Sequence, residues 1–510
     1  MVTIMDSIME LSRSELGSLE GCVMALEAGS ASVRAVLIDE FGNEVASATR
    51  PLHASYPRPG WVEQDPVEIL SAEVACMAEV QYKSGIHSDR ILAVGIANQR
   101  ESVVVWDKRT GQPIHDAIVW QCRRTEPEVE RIVQAGHADA VRELTGLVPD
   151  AYFSATKIAW LLDNVEGARE VAEAGELLAG TIDTWLVYNL TDGRVHATDF
   201  TNASRTMLFD IHKLDWDEGL CELFGVPVQM LPEPRPSSGD FGRVSSDIMT
   251  FRPPISAVCG DQQASLFGHC CFEPGSVKAT YGTGCFLLEN LGPEFSLSDR
   301  GLITTIGIAE GGKVDYALEG SVFQAGSVVQ WLIDGLGLIG DASEAERLAR
   351  SVEDAGGCYV VPAFSGLGAP WWKPDARGVI SGLTRGTDKA KLVRAACESV
   401  AYQVHDVLAA MSAGSERPVR ELHADGSALA NDVIAQFQAD VLGIDVVRTR
   451  GPETAALGAA YLSGLAVGFW ADREEVASLS DEGRRFTPEM DEARREALLA
   501  GWADAVRRAL

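Results

Sequence analysis

Regular patterning begins at residue 22 with the apolar run CVMALE (22–27), a Gly/Ser turn, VRAVLID (33–39), the turn EFGNE (40–44) and VASATR (45–50). Short apolar runs divided by turn residues read as strands, so this stretch predicts a strand–turn–strand–turn–strand meander. The pattern recurs near the middle of the chain as SVKATYG (276–282), a glycine turn, CFLLEN (285–290) and LITTIGIAEGGKVDYALEG (302–320). Two halves that each open on a meander with a glycine in the first turn point to a duplicated domain. That inference rests on the pattern alone, because no residue-level repeat stands out. Helical periodicity predicts helices over 66–80, 126–144, 155–175, 320–335, 388–412, 428–441 and 454–466. The last of these, TAALGAAYLSGLA, is dominated by small residues and suits close packing on a sheet. Strands alternating with helices imply α/β domains with helices flanking each sheet, and a cleft between two such domains is the expected ligand site.

Length and composition narrow this picture. At 510 residues the chain is too long for one ordinary core, and 46% hydrophobic with 23% charged residues is a globular composition. No apolar run approaches the ~20 residues needed to span a bilayer, so membrane insertion is not expected. Residues 1–21 lack a basic stretch and a continuous apolar stretch, so they read as an N-terminal extension and not as a signal peptide. The ten cysteines form no C-x-x-C pair and no zinc-ligand spacing, which fits reduced thiols in a cytoplasmic protein. A net charge of −31 disfavours nucleic acid and anionic membranes as partners. Any phosphate site must then work locally, through backbone N–H groups, a few cations and Mg²⁺.

Five stretches could carry chemistry. In EAGSASVR (27–34) a strand delivers Glu27 into a turn with Gly29, Ser30, Ala31, Ser32 and Arg34. Hydroxyls, N–H groups and Arg hold phosphate oxygens, and the acid could hold Mg²⁺ through water; an ordinary hairpin is the plainer reading. In GDQQASLFG (260–268) Asp261 ends the apolar strand PISAVCG, where α/β folds place ligand-facing residues. Asp261 either takes a proton from a substrate hydroxyl or caps the helix that follows. YGTGCF (281–286) offers Thr283 and Gly284 as a second phosphate turn, or a tight turn with no ligand. Arg100 and Glu101 in NQRES, with Trp120 in IVWQCRRT, supply donors, acceptors and an apolar wall that suit a small polyol; a surface ion pair beside a core Trp is the alternative. In HADGSALAND (423–432) a turn with Gly426 and Ser427 leads to Asn431, which suits adenine or ribose, or a plain loop.

Taken together and in order, these residues resemble the FGGY family of carbohydrate kinases, and above all its members that phosphorylate glycerol. The resemblance runs from about residue 22 to about 470. It is carried by YPRPGWVEQDP (56–66), NQRE (98–101), AIVWQCRRT (117–125), TNASRTMLF (201–209), GDQQA, YGTGCF, ALEG (317–320), GLGAP (366–370) and ALGAAYLSGLAVGFW (456–470). YFSATKIAWLLDN (152–164) matches the first family signature, and GVISGLTRGTDKAKLVRAACE matches the second approximately, with Lys391 at a position usually polar-neutral, acidic or His. The resemblance implies an α/β fold of two ribonuclease-H-like (actin-like ATPase) domains, 22–268 and 269–510, with an interdomain active-site cleft. It implies ATP-dependent phosphorylation of glycerol, with Mg²⁺, in a cytoplasmic homo-oligomer (dimer or tetramer). By the same resemblance Arg100, Glu101, Tyr152 and Asp261 bind the glycerol hydroxyls, with Gln262 adjacent. Trp120 and Phe286 flank its carbons, and Asp261 is the general base. Ser30, Ala31, Ser32, Arg34, Thr283 and Gly284 serve the ATP phosphates; Gly326, Gln330, Ser427 and Asn431 line the nucleoside pocket.

The chain departs from the family on the nucleotide side. The family loop D-x-G-T-T-S-x-R reads EAGSASVR here, so Glu27 stands for Asp, Ser30 and Ala31 for Thr, and Ser427 replaces a Gly of the adenosine motif. Ala31 removes a donor, Glu27 moves a carboxylate, and Ser427 adds a Cβ. Three functions therefore stay open: a working glycerol kinase, a glycerol-binding paralogue impaired in catalysis, or a kinase for another small polyol. An actin-like structural ATPase shares the phosphate loops but not the polyol residues. Segment 241–254 lacks the glycine-rich loop with which some relatives bind fructose 1,6-bisphosphate, so inhibition by that sugar is not expected.

Overall fold

The computed structural model describes residues 21–413, 418–449, 454–480 and 483–510, so the expected N-terminal extension lies outside the described residues except for Gly21. The chain divides into two compact units. The first holds the chain up to Cys270 together with 308–314 and 455–480; the second holds 271–307, 315–454 and 481–510. Division by packing thus differs from a single cut near residue 268, because two later segments join the first unit.

The first unit is built on a five-stranded sheet in the order Ile255–Gly260, Ile91–Asn98, Cys22–Ala28, Ser32–Ile38, Glu44–Pro51. The meander strands pair antiparallel, and Cys22–Ala28, Ile91–Asn98 and Ile255–Gly260 run parallel. Ala28 stands opposite Asn98 and Asn98 opposite Gly260, so three neighbouring strands end level with one another. In open α/β sheets that edge is where ligand-facing residues gather. Helix Pro66–Ser84 covers one face. Asp65 caps its start by accepting from the Val67 N–H at 2.8 Å, Pro66 tolerates the first turn, and Gly85 closes it at φ 66°.

Helix Thr454–Ala466 owes its place to its small residues, as the sequence predicts. A Cβ on Gly95 of the sheet would lie 2.1 Å from the Ala459 carbonyl oxygen, and one on Gly458 would lie 1.8 Å from that of Ala264. Neither approach is open to any residue but glycine.

The second unit carries a seven-stranded sheet in the order Ile303–Glu310, Lys313–Val322, Cys285–Gly292, Val277–Tyr281, Glu421–Asp425, Asp445–Arg448, Arg484–Phe486. Val277–Tyr281 pairs antiparallel with Cys285–Gly292 and parallel with Glu421–Asp425, repeating the antiparallel-then-parallel arrangement around Cys22–Ala28. The likeness read from the meanders therefore extends to the pairing around the first strand, although in the second unit Lys313–Val322, and not the preceding Ile303–Glu310, lies beside Cys285–Gly292. Helix Lys389–Ser412, capped by Asp388, and helix Asp432–Leu442 pack on this sheet through a core that includes Val393, Val400, Val404 and Ile434.

Several expected helices are interrupted. The 126–144 stretch is two helices, Glu126–Gln134 and Ala138–Thr145, separated around Gly136 at φ 85°. The 155–175 stretch divides into Ala155–Asn164 and Ala168–Glu173, with Gly167 at φ 76° between them. Periodicity does not register such single left-handed glycines. The 320–335 stretch begins as strand, which continues to Val322; helix follows only from Gly326. Helix 428–441 is a short 3₁₀ turn, Ser427–Ala430, followed by an α-helix that Asn431 caps.

Candidate functional site

The level strand ends of the first unit deliver three segments to one edge. After Ala28 comes the Gly29–Ala31 turn, after Asn98 comes Gln99–Arg100–Glu101, and after Gly260 comes Asp261. Asp261 is the first residue of helix Asp261–Gly268, and the N-cap is Gly260, so the carboxylate is not the cap. Its Oδ1 accepts from the Gln262 N–H at 2.7 Å and lies 3.2 Å from Arg100 Nε. The Arg100 side chain is 2% exposed and that of Asp261 27%, so the acid is the more open of the two. Arg100 Nη1 also donates to Gln263 Oε1 at 3.4 Å. A Cβ on Gly260 would sit 2.6 Å from Arg100 Cδ, so the glycine makes room for this guanidinium.

Glu101 takes φ 62°, an uncommon backbone state for a residue with a side chain. Such strain costs about 1–3 kcal/mol and persists where the surroundings over-determine it. The surroundings here are a buried ion pair, Arg205 Nε to Glu101 Oε1 at 2.6 Å, and a hydrogen bond from Ser154 Oγ to the Glu101 carbonyl at 3.1 Å. Arg205 also lies 5.6 Å from the Tyr152 ring centroid and 5.3 Å from that of Phe153. Tyr152 meets Trp120 edge-to-face at 5.6 Å. Arg205 thus links Glu101 to Tyr152 and, through Tyr152, to Trp120, while Arg100, next to Glu101 in the chain, pairs with Asp261. The surface-ion-pair reading of Arg100 and Glu101 is excluded, since both residues are buried.

The Tyr152 backbone is itself held. Lys157, fully buried on helix Ala155–Asn164, donates to the carbonyls of Tyr152 at 2.5 Å and Phe153 at 2.9 Å. Burial pushes its ammonium down to about 7, with the Glu101 charge opposing the shift. Arg205, Lys157 and Gln263 escaped sequence reasoning as site residues. A signal existed for two of them: a basic residue inside the stretches TNASRTMLF and YFSATKIAW has no solvent to face.

In the glycine turn, Ser30 Oγ accepts from Trp120 Nε1 at 2.8 Å, so this hydroxyl is engaged with the indole. Arg34, opposite Glu27 in the hairpin, pairs with Glu44 at 2.9 Å. The exposed Ala31 accepts from the Leu52 N–H through its carbonyl, and Ser32 accepts from the Gly29 N–H through its own. Among the described residues no group of three or more His, Cys, Asp or Glu could hold a metal ion. A magnesium ion at Glu27 would therefore draw its other ligands from water and phosphate oxygens, as that ion commonly does.

The second unit assembles the remaining candidates. Gly282–Thr283–Gly284 forms the tip between strands Val277–Tyr281 and Cys285–Gly292, with Thr283 exposed and Phe286 half-buried on the second strand. The tip carbonyls receive N–H groups from the start of helix Gly326–Gln330: Gly326 to Gly282 at 2.9 Å, Ala325 to Thr283 at 2.9 Å and Ser327 to Thr283 at 3.2 Å. A Cβ on Gly326 would lie 2.7 Å from the Gly282 oxygen and 3.4 Å from Ala428 Cβ. Gly426 takes φ 98° and presses on the Tyr281 backbone. Thr283, Gly284, Gly326 and the Ser427 turn are therefore brought together. Ser427 is exposed and opens the 3₁₀ turn without a left-handed backbone, so its side chain is accommodated. Asn431 Oδ1 accepts from the Val433 N–H at 2.9 Å, and Gln330 donates to Asp334 at 2.5 Å, both along their own helices. A Cβ on Gly282 would meet only the Gly284 carbonyl oxygen, in ordinary contact at 3.9 Å. Exposed Thr283, Gly282 and the small residues around Gly326 fit a nucleotide.

Two α/β units with like pairing around their first strands, one holding a buried cluster of charged and aromatic side chains and one a glycine-lined turn, are the architecture of a two-domain carbohydrate kinase. Residues 22–268 match the N-terminal domain of the FGGY family of carbohydrate kinases and residues 277–467 its C-terminal domain. The chain belongs to the FGGY family of carbohydrate kinases. It is 54% identical over 488 residues to glycerol kinase 2 of Thermotoga maritima and 55% identical over 488 residues to the glycerol kinase of Carboxydothermus hydrogenoformans, in both cases over 96% of this chain and 98% of the relative. Among solved structures it resembles Plasmodium falciparum glycerol kinase with ADP, at a TM-score of 0.88 and 37% identity over 96% of this chain and 98% of that one. Gluconate kinase from Lactobacillus acidophilus shares the fold, with a TM-score of 0.85 at 20% identity over 96% and 97% of the two chains.

Proposed function

We propose that this protein phosphorylates glycerol with ATP, giving sn-glycerol 3-phosphate. The observation that carries the reading is the partly open Asp261 carboxylate held 3.2 Å from buried Arg100, beside the Glu101–Arg205 pair and the Trp120–Tyr152 edge contact. Glycerol kinases at 54% identity over nearly the whole chain support glycerol as the alcohol. Arg100 donates to hydroxyl oxygens, Glu101 accepts from hydroxyl protons, and the Tyr152 hydroxyl does either. Gln262 stands beside them, and Trp120 and Phe286 wall the carbons. Asp261 accepts the proton of the attacking hydroxyl, a contribution of about 10²–10⁴-fold. ATP supplies the phosphoryl group, and Mg²⁺ neutralises charge on it. Thr283, Gly284, Gly326, Gln330, Ser427 and Asn431 serve the nucleotide, joined by Ser30, Ala31, Ser32, Arg34 and, through water on the metal, Glu27. Phosphoryl transfer passes through a loose transition state, so positioning and charge neutralisation carry most of the rate.

Ten free cysteines fit a cytoplasmic protein, and a homo-oligomer, dimer or tetramer, is the proposed assembly. The test is direct: purified protein, ATP, Mg²⁺ and glycerol, with glycerol 3-phosphate measured as product. A second reading is favoured by Ala31, which lacks a hydroxyl donor, and by the Ser30 hydroxyl being engaged with Trp120: a protein that binds glycerol but turns over slowly. Glycerol that raises the melting temperature without any product formed would establish it. In the working enzyme Glu27→Asp raises kcat, and an unchanged kcat would show that the longer acid is accommodated.

A further inference from the structure

Asp199 is a fully buried carboxylate that the reaction does not touch, and it sits behind two of the strand ends that do. Its Oδ1 accepts from Thr201 Oγ1 at 2.9 Å, the Asn202 N–H at 2.9 Å and Asn202 Nδ2 at 2.8 Å; its Oδ2 accepts from the Thr201 N–H at 2.9 Å and Ser237 Oγ at 2.7 Å. All five partners donate, which calls for the ionised acid.

Two arms leave this node. Thr201 Oγ1, while donating to Asp199, accepts from the Gly260 N–H at 2.8 Å, one residue before Asp261. Asn202 exchanges two side-chain hydrogen bonds of 3.0 Å with Asn98, whose Nδ2 also donates to the Gln99 carbonyl at 2.9 Å, one residue before Arg100. Every member of both arms is fully buried, so no water competes. Asp183 backs the node. It accepts from Thr198 Oγ1 at 2.6 Å and Thr181 Oγ1 at 2.5 Å, and burial pushes its carboxyl up to about 7, with the Asp199 charge adding to the push. Burial raises Asp199 too, against the pull of Ser237, Asn202 and Thr201. Five donors converge on Asp199, and this donor set is what favours the negative charge there.

We infer that Asp199 is a positioning residue for the transfer reaction, holding Asp261 through Thr201 and Gly260, and Arg100 through Asn202 and Asn98. The inference deepens the reading of the polyol site and rests on it. A carboxylate that served only local folding of 199–204 would leave the two arms without separable kinetic effects.

The experiment uses the full chain and steady-state kinetics with glycerol and ATP varied in turn. Thr201→Val keeps the shape and breaks the Asp261 arm, and kcat is expected to fall about 10–100-fold with the KM for ATP unchanged. Thr201→Ser keeps the hydroxyl and restores kcat. Asn98→Leu breaks the Arg100 arm and raises the KM for glycerol about tenfold. Wild-type kcat in Thr201→Val, or no rescue by serine, overturns the inference. Should Thr201→Val not fold, Ser237→Ala removes one donor to Asp199 outside both arms, and kcat is then expected to drop roughly three- to tenfold; an unchanged kcat overturns the inference. Should the wild type form no product, the kinase reading fails separately. The glycerol-induced rise in melting temperature then decides: its loss in Asn98→Leu and Thr201→Val supports the positioning role, its persistence or its absence from the wild type refutes it.

Discussion

Arg205 pairs with buried Glu101 and lies beside Tyr152, and its removal has a calculable cost. Its side chain is 0% exposed and that of its partner Glu101 2%, at an Nε to Oε1 distance of 2.6 Å. In Arg205→Met the methionine fills much of the volume, so the packing loss is the smaller effect, about 1 kcal/mol. The larger effect is a carboxylate left in a desolvated site without its guanidinium, which costs about 3–5 kcal/mol. For a unit of this size that corresponds to a melting-temperature drop of roughly 5–8 °C. Glu101→Gln strands the arginine instead and costs a similar amount. The double variant Arg205→Met/Glu101→Gln removes both charges and recovers at least about 2 kcal/mol of the summed losses, because contacting residues do not add. The assay is calorimetric unfolding of the four proteins at pH 7.5, with glycerol kinetics in parallel. Activity in Arg205→Met falls more than about 100-fold, since Tyr152 and the strained Glu101 both lose a neighbour. A loss under about 1 kcal/mol, or a double variant that costs the full sum, would show that the pair neither carries a desolvated charge nor anchors the site.

Other expectations test separate parts of the structure. Ser30→Ala deprives Trp120 Nε1 of its acceptor, so the KM for glycerol rises about two- to tenfold in addition to any change in that for ATP; an unchanged KM for glycerol would show that this bond does not position Trp120 for the polyol. Burial holds His196 down to about 4, and it bonds the Ala179 carbonyl oxygen at 3.0 Å beside Trp106. The folded state therefore resists a proton that the unfolded chain accepts near 6.5. Stability contributed by His196 is complete above about pH 6.5 and declines as pH falls towards 4, by about 3 kcal/mol, a slope that His196→Phe removes in acid titrations of unfolding. Glu73 is fully buried on helix Pro66–Ser84, with neither carboxylate oxygen hydrogen-bonded, and burial alone raises it well above the usual carboxylate range. Its stabilising protonated form is present at low pH and is lost as pH rises through the raised folded value. Glu73→Met accordingly gains about 1–3 kcal/mol at pH 8 and less at pH 4 in urea unfolding, and equal gains at both would refute the assignment.

Much of the site was legible because local chemistry dictates it. The run PISAVCG fixes a strand whose end must be Asp261, and CVMALEAGSASVR fixes a hairpin, since apolar period and turn glycines act over a few residues. Small residues in TAALGAAYLSGLA announced a close approach that Gly458 then makes. What the sequence could not show is pairing across the chain. Arg205 reaches back 104 positions to Glu101, Asn202 104 positions to Asn98, and Ser30 meets Trp120 90 positions on. No periodicity encodes these contacts, and the helix breaks at Gly136 and Gly167 were likewise invisible to it. By itself the sequence determined the strands, the turns and the residue types that can grip a polyol and a nucleotide. Tertiary structure alone decided which of those charges are buried together, and burial is what turns an arginine, a lysine or an aspartate from a solvated group into one that holds a neighbour in place.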